Sequence, residues 1–175
     1  MTFRKATFDD LDRIAEIYNR IHDEEEAGRA TIGWVRSIYP TRATAETAIR
    51  KGTMYVEETE GRVVAAAKID QEQVPEYAGA AWTVDAPDAR VLVLHALVVD
   101  PVEAGRGRGS AFVRFYEGEA LRRGCPYLRM DTNEKNAAAR ALYRKLGYRE
   151  TGVVFCVFNG IPGVRLVCLE KTLGA

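Results

Sequence analysis

The stretch "VLVLHALVVDPVEAGRGRGSAF", Val91 to Phe112, decides how this chain reads. Its first nine residues are apolar on both parities, interrupted only by His95, as in a strand covered on both faces. After Pro101, Gly105, Gly107 and Gly109 alternate with Arg106 and Arg108. From about Gly109 to Arg123, the residues Ala111, Phe112, Phe115, Tyr116 and Leu121 form an apolar stripe at helical spacing, and Gly124 ends the helix. Glycines between a buried strand and a helix let backbone N–H groups turn towards a ligand with no Cβ in the way. The helix start adds free N–H groups and a positive dipole end. Gly105, Arg106, Gly107, Arg108, Gly109 and Ser110 thus form a candidate phosphate cradle, with the two arginines placed for charge-assisted bonds. No Gly-Lys-Ser/Thr follows, so this is not a Walker loop, and the spacing is not that of a dinucleotide fingerprint. Taken alone, the run is also an ordinary solvated turn.

Outward from this stretch, the element order is mixed. Thr2–Ala6 reads as a strand. "TFDDLDRIAEIYNRIHDEEE" carries Leu11, Ile14, Ile17, Tyr18 and Ile21 at helical spacing. A weaker helix or pair of helices covers Trp34–Ile49, interrupted at Pro40. "TMYVEETEGRVVAAAKID" reads as two strands about a turn at Thr59–Gly61, and Gln71–Arg90 as irregular. "PYLRMD" is a strand. "NEKNAAARALYRKLG" is a helix capped by Asn133 and stopped at Gly147. "YRETGVVFCVF" and "VRLVCLEKTL" are strands about "NGIPG". This order predicts an α/β fold, a mixed sheet with helices on both faces.

The 175 residues suit one domain, residues 1–175, with its own core. The 25 basic residues balance the 25 acidic ones. A nucleic-acid binder or an anionic-membrane binder would be basic, so neither partner is expected. The balance is uneven: residues 101–150 hold 11 basic and 6 acidic residues, residues 51–100 hold 4 and 9. A local anionic ligand and chance clustering on solvated helix faces both account for that. Cys125, Cys156 and Cys168 do not make an even disulfide framework and lack metal-ligand spacing, so no metal is expected. Buried thiols in a reducing compartment, together with an N-terminus lacking an apolar signal segment, point to a cytoplasmic location.

In "DTNEKNAAARALYRKLGY", Asn136, Arg140 and Tyr143 share one helix face. A phenol near a reacting centre can donate a proton. A helix tyrosine packed into the core, and an asparagine closing a helix start, are the bland alternatives. Together with the glycine run, this segment resembles the GNAT N-acetyltransferase superfamily, over about a third of the chain. The second signature of that family, Asn-x-x-Ala-x-x-Leu-Tyr-x-x-x-Gly-Phe/Tyr, matches at Asn136, Ala139, Leu142, Tyr143, Gly147 and Tyr148. The first departs: Ala104 stands where the family carries arginine or glutamine.

The resemblance implies a single GNAT-like domain with a sheet of about six to seven strands and a splayed strand pair at the CoA site. It implies acetyl-CoA as co-substrate, held by the backbone of the glycine loop, by Leu97, Val98 and Val99 along its pantetheine arm, and by Asn136. It implies direct attack by a primary amine of a small molecule or peptide, with Tyr143 returning a proton to the thiolate. The base is open, because Val91–Val99 holds no carboxylate. His95 is the titratable group on that strand, as base or water relay, and Glu57, Glu58, Asp70 and Asp131 lie on neighbouring strands. Trp34, Tyr39, Trp82 and Phe158 are candidates for an acceptor wall. "DEEE", Asp23–Glu26, would suit a cationic amine or simply end a solvated helix. The alternative function is a non-catalytic acyl-CoA-binding sensor on the same fold. A homodimer is left open.

Overall fold

A computed structural model describes residues 1–174 of the chain. Seven strands form one sheet: β1 (Thr2–Lys5), β2 (Met54–Thr59), β3 (Arg62–Asp70), β4 (Val91–Val99), β5 (Tyr127–Asn133), β6 (Arg149–Phe158) and β7 (Ile161–Thr172). Their order is β1-β2-β3-β4-β5-β7-β6, and every neighbouring pair is antiparallel except β4–β5. The helices are α1 (Leu11–Glu26), α2 (Arg42–Arg50), α3 (Arg108–Arg122) and α4 (Ala137–Lys145).

Alternation along the strands sorts the side chains to two faces. On one face, Tyr55, Ala65, Leu92, Leu94, Leu128 and Met130 pack against Phe112, Val113 and Tyr116 of α3 and Tyr143 of α4. On the other, Met54, Val56, Ala66 and Val98 pack against the apolar stripes of α1 and α2. The far end of that second face is covered by the segment between β3 and β4, where Tyr77 and Ala86 meet Val91, Val93, Leu166 and Cys168. Burial of a residue such as Phe112 contributes about 1.5–3 kcal/mol. Tyr116 adds direction to its burial: its hydroxyl donates to the Leu92 carbonyl at 2.5 Å, with the Arg129 carbonyl 3.2 Å away. It thereby fastens α3 over the start of the parallel pair.

That pair is short. Val91–Leu94 run beside Tyr127–Met130, and there the ladder ends although both strands continue. On the β3 side, Ala66 pairs with Val98 and Lys68 with His95, so Ala67 faces both Ala96 and Leu97. Ala96 has φ of 49°, the left-handed region that a β-carbon disfavours. This bulge bends β4 away from β5 and opens a splay between them.

Three expectations need correction. Trp34–Tyr39 is not helical. It is a loop in which the Ile38 and Tyr39 N–H groups both donate to the Val35 carbonyl at 2.8 Å, and α2 starts only after Pro40. Asn133 does not cap α4. It extends β5 opposite Leu166, and Asn136 is the cap. The last hairpin turns on Asn159 and Gly160 alone, both with positive φ, so β7 starts at Ile161.

Candidate functional site

The splay opens into a cavity of about 870 Å³. It runs from Pro101 and Ala104, past Leu97, Val98, Val99 and Asn136, to Tyr143, His95 and Asp131. Beyond them it is walled by the 27–41 loop, with Trp34 and Tyr39, and by the β6–β7 hairpin, with Phe158 and Ile161.

The glycine loop sits at one mouth. Gly105 and Gly107 both have φ of 76°, and a β-carbon at either would meet only open space. Glycine is therefore required by backbone conformation, not by crowding. Gly107 is the residue before α3, and the Ala111 N–H donates to its carbonyl at 3.0 Å. Among the described residues, nothing accepts from the N–H groups of Gly107, Arg108, Gly109 or Ser110. At Gly109 the contact is one of packing: a β-carbon there would lie 3.1 Å from Leu142 Cδ2 on α4, so that side chain would have to shift slightly.

The loop is anchored by buried carboxylates. Asp100, wholly buried at the end of β4, takes Arg13 and Arg20 of α1 and caps the Val102 N–H at 3.2 Å. Glu57, wholly buried on β2, accepts from Arg108 Nη1 at 2.7 Å. Arg108 also meets Thr59 at 3.1 Å and Glu103 at 3.3 Å. Arg108 is thus turned inward to brace the loop, while Arg106 is exposed beside Glu103.

On β4, residues after Leu94 face the splay with their β5-side backbone edge. The side chain of Val98 belongs to the core under α1, so Leu97–Val99 offer the cavity a backbone edge first. Asn136 Oδ1 accepts from the Ala139 N–H at 3.1 Å, which closes the start of α4 while the residue still lines the cavity. Arg140 leaves the site: it grips Glu150 at 2.8 and 2.9 Å and ties α4 to β6. Tyr143 is buried against Tyr148 and lines the cavity, and burial, together with the nearby Asp131 charge, pushes its phenol above the usual range. It stays protonated at neutral pH.

His95 and Asp131 stand on either side of the splay, on the face opposite α3 and α4. His95 Nε2 lies 3.2 Å from Asp70 Oδ1. Burial pushes the Asp70 carboxyl up, but the His95 bond and the His95 and Lys68 charges outweigh it and hold the carboxyl below its usual value. In the neutral ring, an ionised Asp70 places the hydrogen on Nε2 and leaves Nδ1 as a lone-pair acceptor. Asp131 Oδ2 accepts from Tyr77 Oη at 2.7 Å. Burial pushes the Asp131 carboxyl up, against the Tyr77 bond and the His95 charge. Cys168, paired with Asp131 across β5–β7, is pushed up to about 12 by burial and by that charge, so it is an inert thiol. Glu57 serves the loop, and Glu58 pairs with Arg4, so neither reaches the splay.

The acidic run at the end of α1 has partners of its own. Arg36 binds Asp23 at 2.6 Å and Glu26 at 2.8 Å, and Arg29 binds Glu24 at 2.8 Å. Glu25 accepts from the Ile32 and Gly33 N–H groups. Four carboxylates at a helix C-terminus oppose its dipole, and here they are offset by shaping the 27–41 loop. Trp82 stands behind Tyr77, its indole N–H on the Tyr77 carbonyl at 2.9 Å, and braces the wall without lining it.

Among the described residues, no group of three or more His, Cys, Asp or Glu could hold a metal ion, and no helix is long and apolar enough to cross a membrane. A model of the acetyltransferase (GNAT) family matches residues 11–148. A GNAT-family acetyltransferase from Streptococcus agalactiae shares 24% identity at a TM-score of 0.80, covering 99% of this chain and 96% of that one. The Salmonella typhimurium protein yncA, solved with its cofactor acetyl-CoA, shares 20% identity at 0.72, over 100% and 95%. The ribosomal-protein-alanine N-acetyltransferase of Brucella melitensis shares 24% identity at 0.70, over 99% and 100%. No curated protein matches the chain.

Proposed function

The chain belongs to the GNAT acetyltransferase family, and on that premise we propose that it moves an acetyl group from acetyl-CoA to a primary amine held across the β4–β5 splay. The observation that carries the reading is a cavity that holds a buried, protonated phenol at the splay and reaches, at Pro101 and Ala104, the loop that leads into an unbonded helix N-terminus. The N–H groups of Gly107–Ser110 would hold the pyrophosphate, with Gly105 and Gly107 giving it room, and the β4 edge at Leu97–Val99 would hold the pantetheine arm. Acetyl-CoA supplies the acetyl group as a thioester whose sulfur departs as a thiolate.

The rest falls to the chain's own groups. The cavity holds amine and thioester side by side, which removes much of the entropic barrier. His95 Nδ1, with its ring fixed through Nε2 by Asp70, takes the first proton from the acceptor's ammonium and passes it to solvent. The neutral nitrogen can then attack. The Tyr143 hydroxyl gives its proton to the leaving sulfur, and the second proton shed by the nitrogen restores the phenol. Asn136 orders the first turn of α4 and so places Tyr143.

Thiol release from acetyl-CoA over a panel of small amines tests the reading. Tyr143→Phe should lower kcat at least about 100-fold, the range of a lost general acid, and leave CoA affinity by calorimetry unchanged. Turnover unaffected by Tyr143→Phe, or no turnover with any amine beside normal CoA binding, contradicts it.

A further inference from the structure

Asp131 is a carboxylate lining the cavity that the scheme above leaves without a role. It lies on β5 one residue past the end of the β4–β5 ladder, on the same face as His95, so the two flank the opening. Its Oδ2 is taken by the Tyr77 hydroxyl at 2.7 Å. Tyr77 is itself fixed: it is buried, its ring lies 5.1 Å from that of Trp82, and Arg129 stacks 4.3 Å over the indole. Oδ1 has no partner among the described residues and is not sealed off, in a residue that lines the cavity. Asp131 therefore offers one oriented lone-pair oxygen to whatever enters on the acceptor side.

Two of the three Lys and Arg side chains lining that space are engaged. Arg29 is bound to Glu24 at 2.8 Å, and Lys68 lies 3.1 Å from Asp70 and 2.7 Å from Glu72. Lys51 is exposed at the rim. The rest of the lining mixes the apolar Trp34, Tyr39, Phe158 and Ile161 with uncharged polar residues such as Thr132 and Asn133. Inside that space the carboxylate of an α-amino acid would find no unpaired cation, since Lys51 stands at the rim, and an unpaired buried charge is costly.

We propose, resting on the acetyltransferase reading, that Asp131, oriented by Tyr77, is the carboxylate that receives the acceptor's ammonium, and that the site selects a monoamine with an apolar body over the corresponding α-amino acid. The ammonium would bind Oδ1 and point a second N–H towards His95 Nδ1, so recognition and deprotonation fall to different residues. Burial of Asp131 fits this role: it raises the carboxyl above its usual value, and a cation placed beside it favours the ionised form.

The test is calorimetric titration of 2-phenylethylamine and L-phenylalanine into wild-type, Asp131→Asn and Tyr77→Phe proteins saturated with CoA, run beside thiol release with acetyl-CoA. The wild type should bind the amine and prefer it to the amino acid at least about tenfold. Asp131→Asn should weaken amine binding on the order of 30-fold, as for a truncated buried charge pair. Tyr77→Phe should weaken it about fivefold, as for one lost hydrogen bond, with CoA affinity unchanged in both variants. Equal binding of the amino acid, wild-type amine affinity in Asp131→Asn, or a wild type that binds neither compound overturns the proposal. Amine binding that depends on Asp131 without any thiol release leaves the proposal standing and removes the transferase reading instead.

Discussion

Two loops flank the cavity, and they are built by opposite means. The 101–107 loop leading into α3 presents backbone: glycines at positive φ and a run of free N–H groups, braced by Arg108 on Glu57 and Glu103. The 27–41 loop presents side chains, Trp34 and Tyr39, and is shaped by carboxylates at the end of α1. The diphosphate of a CoA thioester keeps the same shape and charge whatever the acceptor, so a backbone cradle would suffice for it. An acceptor is recognised by what distinguishes it from other amines, which needs side chains.

If the cradle is backbone, its glycines should matter more to the ligand than its arginines. Gly107→Val forces a β-branched residue to φ of 76° and should weaken CoA about 100-fold by calorimetry. Arg108→Ala should act elsewhere. It leaves Glu57 buried without its cation and should lower unfolding stability on the order of 3 kcal/mol, read by denaturant titration, while CoA affinity of the folded protein stays within about threefold. On the acceptor side, Glu25→Ala frees two loop N–H groups and should raise the amine KM about tenfold with CoA binding intact. Arg106→Ala, at an exposed pair with Glu103, should change CoA affinity less than about threefold. A ranking with Arg106 or Arg108 above Gly107 in CoA affinity would break the contrast.

The same contrast explains what could be read from the sequence. The cradle and α4 are local in sequence, so the glycine spacing and the Asn136–Tyr143 register were legible directly. The basic excess of residues 101–150 was legible as a count and misleading as a site. Arg108 is spent on Glu57, 51 residues upstream, and Arg140 on Glu150. The cap of α4 was misplaced because Asn133 and Asn136 are equally good caps, and only pairing with Leu166 assigns the first to β5. The "NG" at Asn159–Gly160 was a usable hairpin signal that the longer "NGIPG" obscured. Asp131 stood among four carboxylates with nothing to separate them. What singles it out is Tyr77, from a segment without periodicity, meeting β5 beside an interrupted ladder.

The central claim is that the splay joins the cradle to the acceptor wall, with Tyr143 at the junction. A crystal structure with bound CoA tests it most directly. The account predicts the pyrophosphate against the Gly107–Ser110 N–H groups and the sulfur within hydrogen-bonding reach of the Tyr143 hydroxyl, between β4 and β5. A pyrophosphate held by the Arg106 and Arg108 side chains, or a sulfur lying outside the splay, would contradict it.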